Sequence, residues 1–190
     1  MNLAREAARI VRRARLGRSA QPALGQPSAL VVPVPEADQV LSSLGREQLQ
    51  PGMPYHVTVL YPFAPPAELS GAEPELVSLL GSRASFPFRL VKVERFPGVL
   101  YLEPEPSGPF VELTTAVWGR WPRFPPYGGR FPTVVPHLTV AEGGEPPGLA
   151  TALAARLPMA ATASAVWLMV EEEGGWSRRL DVPLRLIRGP

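Results

Sequence analysis

The chain contains no cysteine, which removes disulfides, thiolate metal ligation and sulfur nucleophiles at once. Histidine is almost as scarce, with only His56 and His137, so any imidazole chemistry has to use those two. Two imidazoles without thiolates, and without an H-x-x-x-H spacing, fall short of the three protein ligands that a catalytic zinc takes. No metal and no cofactor is therefore expected. No apolar run approaches the roughly 18 residues that would span a bilayer, and a cytoplasmic location is the expectation. A G-x-S-x-G elbow, a P-loop and a G-x-G-x-x-G fingerprint are all missing, which sets aside α/β-hydrolase, NTPase and dinucleotide-binding readings.

What is present is enough for one ordinary domain: 190 residues, 45% of them hydrophobic. The net charge of +2 is unevenly placed. Residues 1–28 carry six Arg against Glu6, or +5, which leaves 29–190 at −3. Leu3, Ala7, Ile10, Val11 and Ala14 fall at helical spacing among these arginines, so 1–28 reads as a basic amphipathic extension and linker. A body of negative charge is a poor match for tracking a long duplex, which rests on many Lys and Arg phosphate contacts. A small or single-ended substrate fits it better.

From residue 29 apolar periodicity predicts strand 29–34, helix 36–44, strand 55–61, helix 73–83 and strand 86–96. The same order then returns as strand 99–103, helix 110–121, strand 134–141, helix 148–157 and strand 162–172. A last strand at 179–187 is expected to pair with 163–170 across Gly174 and Gly175. The body, 29–187, thus reads as a duplicated α+β unit of two facing lobes, one about 29–96 and the other about 97–187. Twenty-five prolines break the elements and stiffen the connections.

Each histidine is followed by threonine two positions later and then by valine: His56-Val57-Thr58-Val59 and His137-Leu138-Thr139-Val140. With seven threonines in 190 residues, both coincidences arise by chance about once in 700. Residues i and i+2 of a strand share a face, so each imidazole sits beside its hydroxyl while Val57, Val59, Leu138 and Val140 turn to the other, buried side. A pseudo-twofold axis relating the lobes would bring two imidazoles and two hydroxyls around one tetrahedral group.

These motifs resemble the 2H phosphoesterase superfamily, which includes bacterial cyclic phosphodiesterases and the so-called 2′-5′ RNA ligases. Its signature is a pair of H-x-[S/T]-x motifs on the central strands of two lobes, and here they stand 137 − 56 = 81 residues apart. The resemblance covers about 29–187 and extends to Leu60-Tyr61-Pro62-Phe63 and Tyr127-Gly128-Gly129. It departs at Glu142, where many RNA-processing members carry a basic residue. The resemblance implies two antiparallel sheets facing a central cleft, with helices on the outside. It also implies a monomeric phosphodiesterase that needs no metal and acts on a nucleotide or RNA end bearing a 2′,3′-cyclic phosphate or a 2′-5′ linkage. His137 would be the general base on water and His56 the general acid to the leaving oxygen, with Thr58 and Thr139 on the non-bridging oxygens.

Imidazoles of ordinary pKa near 6.5 could divide these tasks near neutrality, giving a bell-shaped rate profile between about pH 5 and 8. Tyr127 and Arg130, in the Pro-framed loop before the second motif, are candidates to stack a base and contact phosphate, against the plainer reading of a surface turn. Trp118, Trp121, Trp167 and Phe131 are read as core. A non-catalytic module that captures a nucleotide or RNA end in the same cleft is the alternative function.

Overall fold

The structure is a computed structural model that describes residues 27–186. The basic extension expected over 1–28 lies outside the described residues except for its last two positions, as does the end of the last expected strand, at residue 187.

Eight strands run in chain order as β1 (Ser28–Pro33), β2 (His56–Leu60), β3 (Phe86–Phe96), β4 (Val99–Glu105), β5 (Leu138–Glu142), β6 (Met159–Ala163), β7 (Ala165–Glu172) and β8 (Gly175–Pro183). The helices are α1 (Pro35–Ser43), α2 (Pro66–Gly81), α3 (Gly108–Arg120) and α4 (Leu149–Ala154), with a 3₁₀ turn at Pro126–Gly129. The fold is α+β, as expected. The two separate sheets are not found: the strands form one sheet in the order β6-β3-β4-β5-β2-β1-β7-β8. Its two four-stranded halves meet at β5 and β2 through a single antiparallel pair, Val57 with Leu138.

The halves of the sheet do not follow the halves of the chain. β3 leaves the first half of the sequence to pair with β4 and β6, while β7 and β8 return to pair beside β1. The expected single strand 162–172 is accordingly two strands, β6 and β7, which end at opposite sides of the sheet. The last strand begins at Gly175 rather than near 179, because β7 and β8 form a tight hairpin in which Glu172 faces Gly175.

Alternation along the strands decides which face is buried. In β2, His56 and Thr58 are half-buried while Val57 and Val59 are buried, and these valines join the main core under the helices. Helix α2 supplies Leu69, Ala72, Leu76 and Leu80, a stripe at steps of three and four residues. Helix α3 lays Phe110, Leu113, Thr114 and Val117 over β2 near the seam between the halves. There the buried Thr114 hydroxyl donates to the Val59 carbonyl at 2.7 Å, tying a helix to the strand that carries His56. The main core lies on the helix side of the sheet, and the two motif strands project their polar residues from the other side.

Candidate active site

The one register pair at the seam sets the site. Continuing the antiparallel pairing of Val57 with Leu138 by one residue either way puts His56 opposite Thr139 and Thr58 opposite His137. Directly opposite side chains in such a pair have Cβ atoms about 5 Å apart and share a face. The four residues therefore share one face at the seam, each imidazole beside its own threonine along its strand. The charge of His137 is felt at His56, as this closeness requires.

Both imidazoles are held in the same way. His56 Nδ1–H donates to the Pro54 carbonyl and His137 Nδ1–H to the Val135 carbonyl, each at 2.7 Å. A carbonyl can only accept, so Nδ1 carries hydrogen and Nε2 is the atom free to take or give a proton. The prolines of Pro54-Tyr55-His56 and Val135-Pro136-His137 stiffen these two approaches, and at Pro136 the missing N–H keeps β5 from starting before Leu138, later than the expected 134.

Burial disfavours a charged ring, and it outweighs the Pro54 carbonyl, which favours one: His56 is lowered to about 4. His137 is lowered as well, again by burial first, with its Val135 hydrogen bond opposing. Aromatic packing supplies part of that burial. Phe96 and Tyr101, stacked on each other at 4.2 Å, both stand edge-on to the His137 ring at 5.1 and 5.4 Å. Tyr101 is the cross-strand partner of Thr139, and this support could not be read from sequence because it depends on the register of β4 against β5.

Tyr127 joins the array from the loop before β5. Its side chain reaches the Thr58 hydroxyl, and burial pushes its phenol up to about 12, so that it keeps its proton at any working pH. Its backbone is left-handed, φ 52°, the only such non-glycine residue among the described ones, and its N–H donates to the Tyr61 carbonyl at 2.6 Å. Its ring meets the edge of Phe131 at 5.4 Å. Of the two residues expected in this loop, Tyr127 is thus set against Thr58, while Arg130 is exposed and its charge bears on the Tyr61 hydroxyl. Of the aromatics read as core, Trp121 is buried, Trp118 is 43% exposed, and Trp167 is half-buried in a second apolar cluster on the histidine face of the sheet.

Such an array can hold a tetrahedral anion between hydroxyls and move protons at two Nε2 atoms on either side of it. Among the described residues no group of three or more His, Asp or Glu is placed to bind a metal ion, and no helix is long and apolar enough to cross a membrane.

Solved structures share the fold. TT0787 of Thermus thermophilus is 18% identical with a TM-score of 0.61, over 85% of this chain and 100% of that one. LigT of E. coli in apo form is 15% identical with a TM-score of 0.57, over 84% of this chain and 97% of that one. LigT complexed with 3′-AMP is 15% identical with a TM-score of 0.56, over 84% and 98%. Among curated proteins none matches. The family model of the 2′-5′ RNA ligase superfamily matches residues 33–175, a stretch that holds both H-x-T-x strands, and the chain therefore belongs to that family of 2H phosphoesterases.

Proposed function

We propose that the protein hydrolyses 2′,3′-cyclic phosphates or 2′-5′ linkages at nucleotides or RNA ends, with the two histidines as acid and base and no metal in the step. The observation that supports this reading is the Val57–Leu138 pair at the seam, which sets the His56–Thr58 strand beside the His137–Thr139 strand with both motifs on one face.

With a cyclic phosphate, one Nε2 takes a proton from water as the water oxygen attacks phosphorus. The bond from phosphorus to one ribose oxygen breaks, and the other Nε2–H protonates that oxygen, leaving a phosphate monoester. Thr58 and Thr139 donate to the non-bridging oxygens, where the transition state gathers charge. Family resemblance gives the base role to His137. In the free protein burial holds both rings below the ordinary imidazole value, and charge on His137 is among the causes at His56, so the two take up protons as a coupled pair. The −3 charge of residues 29–190 and the acid at Glu142 favour a short substrate over a long nucleic acid.

Nucleoside 2′,3′-cyclic phosphates, 2′-5′ dinucleotides and short RNA ending in cyclic phosphate, each assayed with EDTA, test this. Turnover is expected to survive the chelator and to fall at least about a hundredfold in His56→Ala and in His137→Ala. Saturable binding without turnover in the wild type would instead make the protein a binding module.

A further inference from the structure

The two flanks of the His–Thr array differ in what they offer a substrate. On the β3–β4 side the rings of Phe96 and Tyr101 are engaged with each other and with His137, and the carboxylates of Glu94 and Glu103 bear on Tyr101. A base finds no free ring face there, and the Lys92 ammonium on that flank is held in an ion pair with Glu94.

On the other side Thr58, Val31 and Trp167 are successive cross-strand partners over β2, β1 and β7, so all three point from the same face. Two interstrand steps of about 4.8 Å place the Trp167 backbone about 10 Å from that of Thr58. The Arg178 guanidinium lies 4.4 Å from the Trp167 ring centroid and is tethered by Asp181 at 3.2 Å. Beneath them, Val31, Met53 and Met169, with Tyr61 and Trp176 packed on, form an apolar cluster separate from the helix-side core. A tethered guanidinium layered on an indole is a flat, cationic surface of the kind on which nucleobases stack, and a base bound to a phosphate at the array is within reach of it.

Resting on the phosphodiesterase reading above, we propose that Trp167 and Arg178 are the base-binding ledge, and that the substrate's nucleoside lies across β1 and β7 with its phosphate on the array. The substrate class is then a nucleoside phosphate read one nucleotide deep, and not an aliphatic cyclic phosphate. Recognition is one-sided, because the rings of Phe96 and Tyr101 are engaged with each other and with His137, and Lys92 and Arg95 are paired with Glu94 and Glu145.

Calorimetric titration with adenosine 3′-monophosphate and with inorganic phosphate separates the ledge from the array, and cyclic-phosphate turnover on the same proteins tests the enzyme separately. Loss of one stacking contact weakens nucleotide binding by roughly 5- to 150-fold. Trp167→Ala is expected to weaken adenosine monophosphate within that range and to leave phosphate affinity within about twofold, while Trp167→Phe recovers most of the loss. Arg178→Ala, at an exposed position that cannot threaten the core, is expected to weaken the nucleotide several-fold. Equal losses for nucleotide and phosphate in Trp167→Ala, unchanged nucleotide affinity in both alanine variants, or no nucleotide binding by the wild type would overturn the ledge, whatever the turnover. Normal ledge behaviour without turnover would leave the ledge standing and remove the phosphodiesterase reading.

Discussion

At the scale of single residues, the functional tension lies in two imidazoles kept neutral by burial next to a site that must hold a phosphate. His56 is held near 4 and His137 below its ordinary value, so in the free protein the state with one proton on the pair is populated on the acid side of 6.5. A bound phosphate anion favours imidazolium and raises both. Because kcat/KM reports the free enzyme and kcat the complex, the kcat/KM optimum is expected below pH 6.5 and the kcat optimum above it, a downward displacement from the neutral bell that unperturbed imidazoles would give. Superimposed profiles centred at or above pH 7 would remove burial as the tuning force. The same shift has a stability consequence. Between pH 6.5 and 4 the unfolded chain binds a proton at His56 that the folded chain refuses, so this group's contribution is lost as pH falls through that window. His56→Gln should lack that dependence, narrowing the stability difference between pH 7 and 4.5 by at most about 3 kcal/mol in urea melts. Tyr127 poses a different question, since holding a tyrosine left-handed costs on the order of 1–3 kcal/mol that its contacts must offset. Tyr127→Phe keeps the ring against Phe131 and removes only the hydroxyl that meets Thr58. A fall in kcat of about 10- to 100-fold with little change in KM is expected, and a change confined to KM would mean that the phenol serves binding alone.

At the scale of elements, the loop before β2 is what aims His56, and backbone bonds to the β7–β8 hairpin hold it, together with side-chain bonds from the Tyr55 N–H to Asp38 and from Trp176 Nε1–H to Gln50. Trp176 N–H donates to the Pro51 carbonyl at 2.8 Å, locking the tip of the β7–β8 hairpin against residues 50–53. Gly52 sits there at φ +75°, and a Cβ on it would come within 2.0 Å of the Trp176 carbonyl oxygen. Gly52→Ala is therefore expected to cost more than about 1 kcal/mol of stability and to lower kcat, by prying the loop from the hairpin and moving the Pro54 carbonyl that holds the imidazole. Wild-type stability together with wild-type kcat in that variant would show that the contact is incidental. None of this is legible in the sequence, where Pro51-Gly52 reads only as a turn. The motif strands are legible because alternation of His, Val, Thr and Val states both the element and its faces, and β3 reads at its observed bounds, 86–96. Periodicity places helix α2 too late because Pro74 resembles a helix start, whereas Pro66 occupies the first turn and the buried stripe already begins at Leu69. Tyr101, Phe96 and the Trp167–Arg178 pair escape because their place depends on register between strands distant in sequence, which local periodicity does not carry.

At the scale of the whole molecule, duplication is visible in the chain, but the sheet is built by exchange between the repeats. Each half of the sheet needs strands from both halves of the sequence: β3 completes the half that carries His137, and β7 with β8 completes the half that carries His56. The halves share one register pair, yet helix α3, which belongs to the second half of the sequence, packs on β2 and bonds the Val59 carbonyl through Thr114. Cutting the chain between Pro97 and Gly98 would thus leave the first fragment with β1 and β2 but without β7, β8 and α3, exposing buried apolar surface that no local contact can cover. Neither fragment is expected to fold alone, and the intact chain should unfold in one transition despite its two-part symmetry. Coincident urea curves by far-ultraviolet circular dichroism and by tryptophan fluorescence would bear this out, since Trp167 and Trp176 on β7 and β8, with Trp118 and Trp121 at helix α3, report the half of the sheet that carries His56, whereas circular dichroism reports both halves. Two separated transitions would mean that the seam at Val57 and Leu138 parts before either half of the sheet melts. In that case the two imidazoles would lose their common phosphate site while each strand was still formed, and activity would disappear at the first transition.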